Sequence, residues 1–263
     1  MRGLVLEGGG ARGAYQIGVV KALYENGYSF DGFVGTSIGS INAAMLAQGD
    51  LHLAFELWNH LTMEQIFLED DLPFLRLADF EHAISTLKDN TSEVLGSFKK
   101  IIGYGINTGK MKHFLERYIN EEKIRNSSKE YGLITVSMSH FKPYKLMLED
   151  IEEGKLISYV MASSSVPGFH HETIDNDKFI DGFFYDNCPY RLLLDRGYDD
   201  IITIRLFKAP LPGTLHRVKE KDKVKIITPG KNLGNIALFT PEHCEEIINI
   251  GYEDGLRFAG ENK

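Results

Sequence analysis

Two glycine-bounded segments near the start of the chain carry residues whose types and spacing could do chemistry. Ser37 lies inside Gly35-Thr36-Ser37-Ile38-Gly39, after the apolar pair Phe33-Val34 and before Ile41-Asn42-Ala43-Ala44-Met45-Leu46. A serine on a sharp strand-to-helix turn is presented as a nucleophile. Glycines at 35 and 39 let the backbone turn and leave no Cβ to crowd it. The helix that follows would place a developing negative charge near its N-terminus, where it is stabilised. Earlier, the apolar run Leu4-Val5-Leu6 ends in Gly8-Gly9-Gly10-Ala11-Arg12-Gly13. Consecutive glycine N–H groups can converge on an oxyanion because no side chain blocks the approach. The pair predicts an acyl-transfer site with nucleophile and oxyanion hole. Arg12 would hold the loop or assist an anionic substrate group, and its plainer reading is a solvated surface arginine.

The glycine loop admits a second reading, since Gly8, Gly10 and Gly13 also fit the dinucleotide fingerprint. That fingerprint needs an acidic residue ending a second strand roughly 20 positions on. Asp31 stands near that distance but precedes the Gly32-Phe33-Val34 strand instead of ending it, and Ser37 is left without a role. A nucleotide-binding module remains the alternative. Gly109-Lys110-Met111 imitates the end of a phosphate loop, yet Tyr104 stands where glycine is required and Met111 where Ser or Thr is required.

A serine nucleophile needs a base within hydrogen-bond reach. None of the nine histidines sits in a recognisable glycine-rich catalytic turn. His170-His171, after Pro167-Gly168, are the best placed of them, yet surface loop histidines are the commoner reading. Asp181 ends the run Lys178-Phe179-Ile180 and is followed by Gly182. Alone, it reads as the turn aspartate of an Asp-Gly hairpin. No His/Asp cluster has metal-ligand spacing, so no metal or other cofactor is expected.

The elements that must position these groups follow from periodicity. Leu4–Leu6 and Phe33-Val34 read as strands, with helices over Ala14–Asn26 and Ile38–Gln48 stopped by Gly27 and Gly49. This β-α-β-α order predicts a parallel sheet covered by helices on both faces. From about Leu51 to Asn126 the spacing is helical, predicting a helical insertion or cap (about 51–130), with regular structure weakest around Glu69-Asp70-Asp71 and Asp89-Asn90-Thr91. Strands resume at Leu133–Ser137, Lys145–Leu148, Lys178–Ile180, Ile201–Leu206 and Val224–Ile227. Helices are predicted over Gly154–Ser163, Cys188–Arg196 and Pro241–Phe258. No repeat or linker divides the 263 residues, which favours one domain. A net charge of −8 without like-charge blocks argues against nucleic acid as a partner and against strong static attraction to an anionic membrane. Two cysteines are too few for a disulfide framework. No signal peptide or apolar run of ~18 residues is visible. The expectation is a soluble, cytoplasmic protein.

Three motifs in order carry a family resemblance: Glu7-Gly8-Gly9-Gly10-Ala11-Arg12-Gly13, Gly35-Thr36-Ser37-Ile38-Gly39, and Ala162-Ser163-Ser164-Ser165-Val166-Pro167 followed by Asp181-Gly182-Phe183. In these the chain resembles the patatin-like phospholipases. The resemblance implies a three-layer α/β/α sandwich with a central, mostly parallel sheet. It implies hydrolysis of fatty-acyl esters of phospholipids, lysophospholipids or related lipids by a Ser–Asp dyad without histidine. Carried over, Ser37 is the nucleophile, Asp181 the base, and Gly8, Gly9, Gly10 and Arg12 line the oxyanion loop, supported by Gly13, Gly35, Gly39 and Gly182. The partner would be a lipid acyl ester, met in transient contact with a membrane surface. Leu72-Pro73-Phe74-Leu75 could line an acyl groove or simply pack the core. Two positions depart from the family. Glu7 stands where Asp heads the loop, and bulky Phe183 follows Asp181-Gly182, where it would narrow the site or shift Asp181. A catalytically silent lipid-binding relative is a further alternative.

Overall fold

The computed structural model describes residues 1–77, 105–208, 220 and 222–262. In chain order the first half holds β1 (Arg2–Leu6), α1 (Gly13–Glu25), β2 (Gly32–Thr36), α2 (Ile38–Ala47), α3 (Leu51–His60), α4 (Met63–Ile66), α5 (Leu72–Leu77), α6 (Gly109–Tyr118) and α7 (Glu121–Asn126). The second half holds β3 (Glu130–Ser137), β4 (Lys142–Met147), α8 (Leu156–Ser163), β5 (Thr173–Ile174), β6 (Asp177–Asp181), α9 (Arg191–Leu194), β7 (Asp200–Ile204), β8 (Val224–Ile227) and α10 (Pro241–Glu261). The segment Asp89-Asn90-Thr91, expected to be weakly ordered, and Tyr104 lie outside the described residues. Glu69–Asp71 form a short 3-10 turn that leads into α5.

The strands form one sheet in the order β5-β6-β3-β2-β1-β7-β8, with β4 on β3. Strands β1, β2, β3, β7 and β8 run parallel, whereas β4 and β6 run antiparallel to β3. The two-residue alternation of side chains sorts the apolar residues by face. Leu4, Leu6, Phe33 and Leu133 enter the larger core under α1, α2, α3 and α10. Val5, Val34 and Ile134 enter a smaller core with Leu192, Leu193 and Tyr198. Helices thus flank a mostly parallel sheet on both faces, as expected for the three-layer sandwich. Helix α3 packs against α1, α2 and α10, so the segment from residue 51 begins inside the main helical layer. Among the described residues no helix is long and apolar enough to cross a membrane.

Two strands share one edge of β3, and this sets up the site. Strand β4 occupies the other edge from Gly132 to Ser137. On the shared edge β2 pairs up to Thr36↔Ile134, and β6 arrives from the opposite direction with Asp181↔Thr135. The chain after Thr36 and the end of β6 therefore meet head-on at adjacent positions of β3.

Several predicted elements have different limits. The helix expected over Cys188–Arg196 is only Arg191–Leu194. The Cys188 N–H is taken by the Asp186 side chain at 3.0 Å, which makes a turn there. The strand expected to reach Leu206 ends at Ile204, because the Leu206 and Phe207 N–H groups turn to the Glu7 carboxylate. Helix α10 runs on to Glu261, three residues past the expected Phe258. It starts where Thr240 caps the His243 N–H at 3.4 Å.

Helix α10 lies directly on α1. A Cβ at Gly18 would sit 2.0 Å from the Ile248 carbonyl oxygen, and one at Gly251 would sit 2.1 Å from that of Tyr15. Backbone cannot yield as a side-chain tip can. Gly18→Ala should therefore lower the free energy of unfolding by roughly 1–3 kcal/mol, despite the better helix propensity of alanine. Urea unfolding monitored by circular dichroism checks this, and an unchanged or raised midpoint would refute the close approach.

Candidate active site

Ser37 joins β2 to α2 with φ 55° and ψ −129°, a conformation rare for a residue bearing a Cβ. Such strain persists only where surrounding bonds fix it. The Ser37 N–H donates to Ser163 Oγ at 2.9 Å, and Ser163 Oγ donates to the Ile134 carbonyl at 2.7 Å. Ser40 Oγ donates to the Ser37 carbonyl at 2.7 Å, and Thr36 Oγ1 to that of Asp186 at 2.8 Å. Gly39 is required by space, since a Cβ there would lie 2.1 Å from the Leu6 carbonyl oxygen. Gly35 likewise has no room, with the Gly39 carbonyl oxygen 2.2 Å from its would-be Cβ.

Asp181 is completely buried at the end of β6. Its Oδ1 accepts the Phe183 N–H at 2.8 Å. Its Oδ2 has no hydrogen bond of good geometry among the described residues, although the Ser37 hydroxyl is the neighbour that steadies the charged form. Burial pushes this carboxyl up to about 7, against the lowering pull of the Phe183 N–H and of Ser37. Catalytic hydrogen bonds commonly lengthen without substrate and tighten in the complex. Gly182 is glycine because a Cβ would lie 2.2 Å from the Ile134 carbonyl oxygen. Phe183 holds the carboxylate through its own backbone N–H. Its ring lines the cavity beside Phe184.

The glycine loop separates into free and occupied groups. The Gly8 N–H donates to Asn187 Oδ1 at 3.1 Å, and Asn187 Nδ2 donates to the Gly8 carbonyl at 3.0 Å. The Gly9 and Gly10 N–H groups have no partner among the described residues. Gly8 is thus a lining residue whose own donor is spent on fixing the loop. Gly10 has φ +58°, and the Ala11 N–H beside it donates to the Ile236 carbonyl at 2.7 Å. Arg12 is buried and is not among the residues that line the cavity. Its Nε and Nη2 donate to the Gly234 carbonyl at 2.9 and 2.6 Å, and its guanidinium lies over the Phe207 ring. Of the roles expected for Arg12, holding the loop fits this geometry. A solvated surface position does not, since the side chain is buried. Gly13 leaves room for Ile38 and Trp58, 2.6 and 2.9 Å from a would-be Cβ. Glu7 is buried, and its Oε2 accepts the Leu206 and Phe207 N–H groups while Arg205 lies 3.5 Å from Oε1. Burial raises this carboxyl to about 7.

Ser37, Asp181, Gly8, Gly9 and Gly10 converge on one apolar cavity of about 150 Å³, walled by Ile38, Ile41, Leu75, Met111, Phe169 and Phe239 among others. Of the described side chains in Leu72-Pro73-Phe74-Leu75, Leu75 lines it. No histidine does so among the described residues, and His216 lies outside them. His140 touches Ser137 Oγ at 3.1 Å and Asp177 Oδ2 at 3.2 Å, but both contacts use Nδ1. That ring therefore cannot pass a proton from one partner to the other through its two nitrogens. Asp31 accepts the Arg2 N–H at 2.9 Å, at the end of β1 opposite the glycine loop. It cannot meet a ribose whose phosphates lie on that loop. Two supporting residues escaped sequence reasoning: Ser163, visible only as part of a serine run, and Asn187, whose partner is 179 positions away.

A strained serine at a strand-to-helix elbow, a buried aspartate and a glycine loop thus line one apolar cavity of an α/β fold. The family model described as patatin-like phospholipase matches residues 4–194. The chain belongs to the patatin-like phospholipase family. It is 28% identical to Lysophospholipase NTE1 of Cryptococcus neoformans over 204 residues, covering 77% of this chain and 11% of that protein. It is 26% identical to patatin-like phospholipase domain-containing protein 7 of Rattus norvegicus over 208 residues, 76% of this chain and 13% of that protein. The chain therefore spans only a small part of these relatives. The crystal structure of VipD from Legionella pneumophila shares the fold, with a TM-score of 0.60, 15% identity, and coverage of 99% of this chain and 67% of that one.

The raised carboxyl of Asp181 has a thermodynamic signature. The folded state keeps a proton that the unfolded chain, with a value of 3.8, releases earlier. That contribution is fully present below the unfolded value and is lost as pH rises through about 7. Asp181→Asn lacks it. The variant should gain on the native protein by roughly 2 kcal/mol between about pH 5 and about pH 8, measured by urea unfolding at both. A pH-independent difference would mean an Asp181 of ordinary acidity.

Proposed function

We propose that the chain hydrolyses fatty-acyl esters of lipids, with Ser37 as nucleophile and Asp181 as general base. The observation that carries this reading is the head-on meeting of Ser37 and Asp181 on one edge of β3, inside an apolar cavity beside two glycine N–H groups that have no partner among the described residues. Asp181 accepts the hydroxyl proton as Ser37 Oγ attacks the ester carbonyl carbon. The Gly9 and Gly10 N–H groups hold the oxyanion. The tetrahedral intermediate collapses with the proton passing from Asp181 to the leaving alcohol. Water then attacks the acyl-serine, giving its proton to Asp181, and the fatty acid leaves as Ser37 recovers its hydrogen. A carboxyl near 7 is matched to this work, because it can both accept and return a proton near neutrality. The apolar walls suit an acyl chain, and relatives named lysophospholipases support lipid esters as the class. The oxyanion role falls to Gly9 and Gly10, with Gly8 and Arg12 holding the loop. Transient contact with a membrane surface would deliver the substrate.

Labelling by a fluorophosphonate probe, read by mass spectrometry of the modified peptide, tests the nucleophile. Ser37→Ala should abolish both labelling and ester hydrolysis. Equal labelling of the variant would remove Ser37 from the mechanism, and lipid binding without turnover by the native chain would favour a silent relative. Asp181→Asn should approach Ser37→Ala in activity, whereas single changes of His170, His171, His216 and His243 to Ala should retain most turnover. A folded histidine variant as inactive as Ser37→Ala would require a triad.

Two further measurements follow from the same chemistry. With Asp181 needed ionised, kcat/KM should rise with pH through about 7, not near the ordinary carboxylate range. A profile already flat at pH 5 would contradict this. Gly9→Ala is the cleaner loop variant, because its Cβ meets the movable Leu206 side chain at 2.8 Å, whereas one at Gly10 meets the Ile236 carbonyl at 2.2 Å. Turnover of Gly9→Ala should fall by roughly 10²–10³, the usual cost of a disturbed oxyanion donor. A fall in nucleotide affinity with intact ester turnover would instead mark the loop as a nucleotide site.

A further inference from the structure

Beyond the cavity at Ser37 lies a second, smaller one of about 60 Å³, lined among the described residues only by apolar side chains. The two cavities share four walls: Ile38, Ile41, Met111 and Phe239. Their common floor is helix α2. Ile38 and Ile41 line both cavities, and Met45 lines the second. Positions 38, 41 and 45 fall on one face of the helix, on successive turns. Counted at 1.5 Å per residue, this face gives a track of roughly 10 Å leading away from the nucleophile. Across from it, Met111 on α6 and the Phe239 ring stand at the boundary. Methionine is unbranched and readily changes rotamer, so it can open a partition that a β-branched residue would keep shut. The far side is closed by Leu57, Trp58 and Leu61, from α3 and the residue after it.

The geometry points to a two-chamber acyl tunnel. The first chamber takes the carboxyl end of the chain beside Ser37. The second takes the distal methylenes of a long chain, which pass between Met111 and Phe239 along α2. The substrate class of the proposed hydrolysis is thereby narrowed to long-chain acyl esters, with Met111 as the specificity-determining residue. This inference rests on the hydrolase reading for its kinetic test, although the tunnel itself is a binding feature. No polar group lines the second chamber among the described residues, so a chain there loses no hydrogen bond and gains from leaving water.

The test compares p-nitrophenyl butyrate with p-nitrophenyl palmitate. Leu57→Phe and Leu61→Phe enlarge side chains that line only the second chamber, and each should lower the palmitate-to-butyrate ratio of kcat/KM at least ten-fold. Met111→Ala widens the passage and should raise that ratio. Binding is read separately from chemistry on Ser37→Ala, by displacement of a fluorescent fatty acid with butyrate and palmitate. Adding Leu57→Phe to that protein should weaken palmitate binding at least ten-fold. If the native chain hydrolyses neither ester but palmitate binding on Ser37→Ala is lost with Leu57→Phe, the hydrolase reading fails and the tunnel stands. If folded Phe variants keep the native ratio and the native palmitate affinity, the tunnel is overturned. Should both Phe variants fail to fold, Met111→Ala decides, and an unchanged or lowered ratio overturns the proposal.

Discussion

The site depends on the sharing of one edge of β3. Strand β2 brings Thr36 opposite Ile134, and β6 brings Asp181 opposite Thr135 from the other direction. Because a one-residue slip in a strand sends every side chain to the other face, this register decides whether a carboxylate and a hydroxyl face each other at all. The bonds around it lock the same junction. Ser163 Oγ links the Ser37 N–H to the Ile134 carbonyl, and the Thr135 hydroxyl donates to the Ile180 carbonyl at 2.9 Å. The strained backbone at Ser37 is therefore held by three strands and a helix at once.

Electrostatics follows from this placement. A carboxylate driven into an apolar cavity loses water, and only the Phe183 N–H and the Ser37 hydroxyl partly offset that loss. The result is a carboxyl near neutrality without a histidine. Glu7 shows the same burial put to another use. Its Oε2 ties the Leu206 and Phe207 N–H groups, folding the segment after β7 back against the glycine loop, while Arg205 supplies the compensating charge. Arg12 fastens the loop to the Gly234 carbonyl, and Asn187 fastens it to the end of the Asp181 segment. The loop is thus pinned on both sides, and among the described residues no protein partner takes the Gly9 and Gly10 donors.

Ser37 and its glycines were legible because the signal is local: an apolar pair, a glycine-flanked serine and a small-residue helix lie within a few positions. The parallel order of β1, β2 and their helices was legible for the same reason. Asp181 was not distinguishable on its own from a hairpin aspartate, and only its place in a family pattern raised it. Asn187 and Ser163 were out of reach, since their bonds join residues 179 and 126 positions apart. Local polar capture also shortened two predicted elements, the helix after Asp186 and the strand before Leu206. Leu75 was legible as an apolar residue but not as a cavity wall, which depends on residues far apart in sequence, such as Phe169, closing round the same space.

The central claim is that Ser37 and Asp181 act as one catalytic unit, and a double-mutant cycle on ester hydrolysis tests it most directly. If the two share a single proton-transfer step, Ser37→Ala, Asp181→Asn and the double variant should all fall to nearly the same residual rate, because losing either partner already forfeits the shared step. If instead the two losses multiply, so that the double variant is slower than either single variant by the full product, the residues contribute independently and the dyad is contradicted.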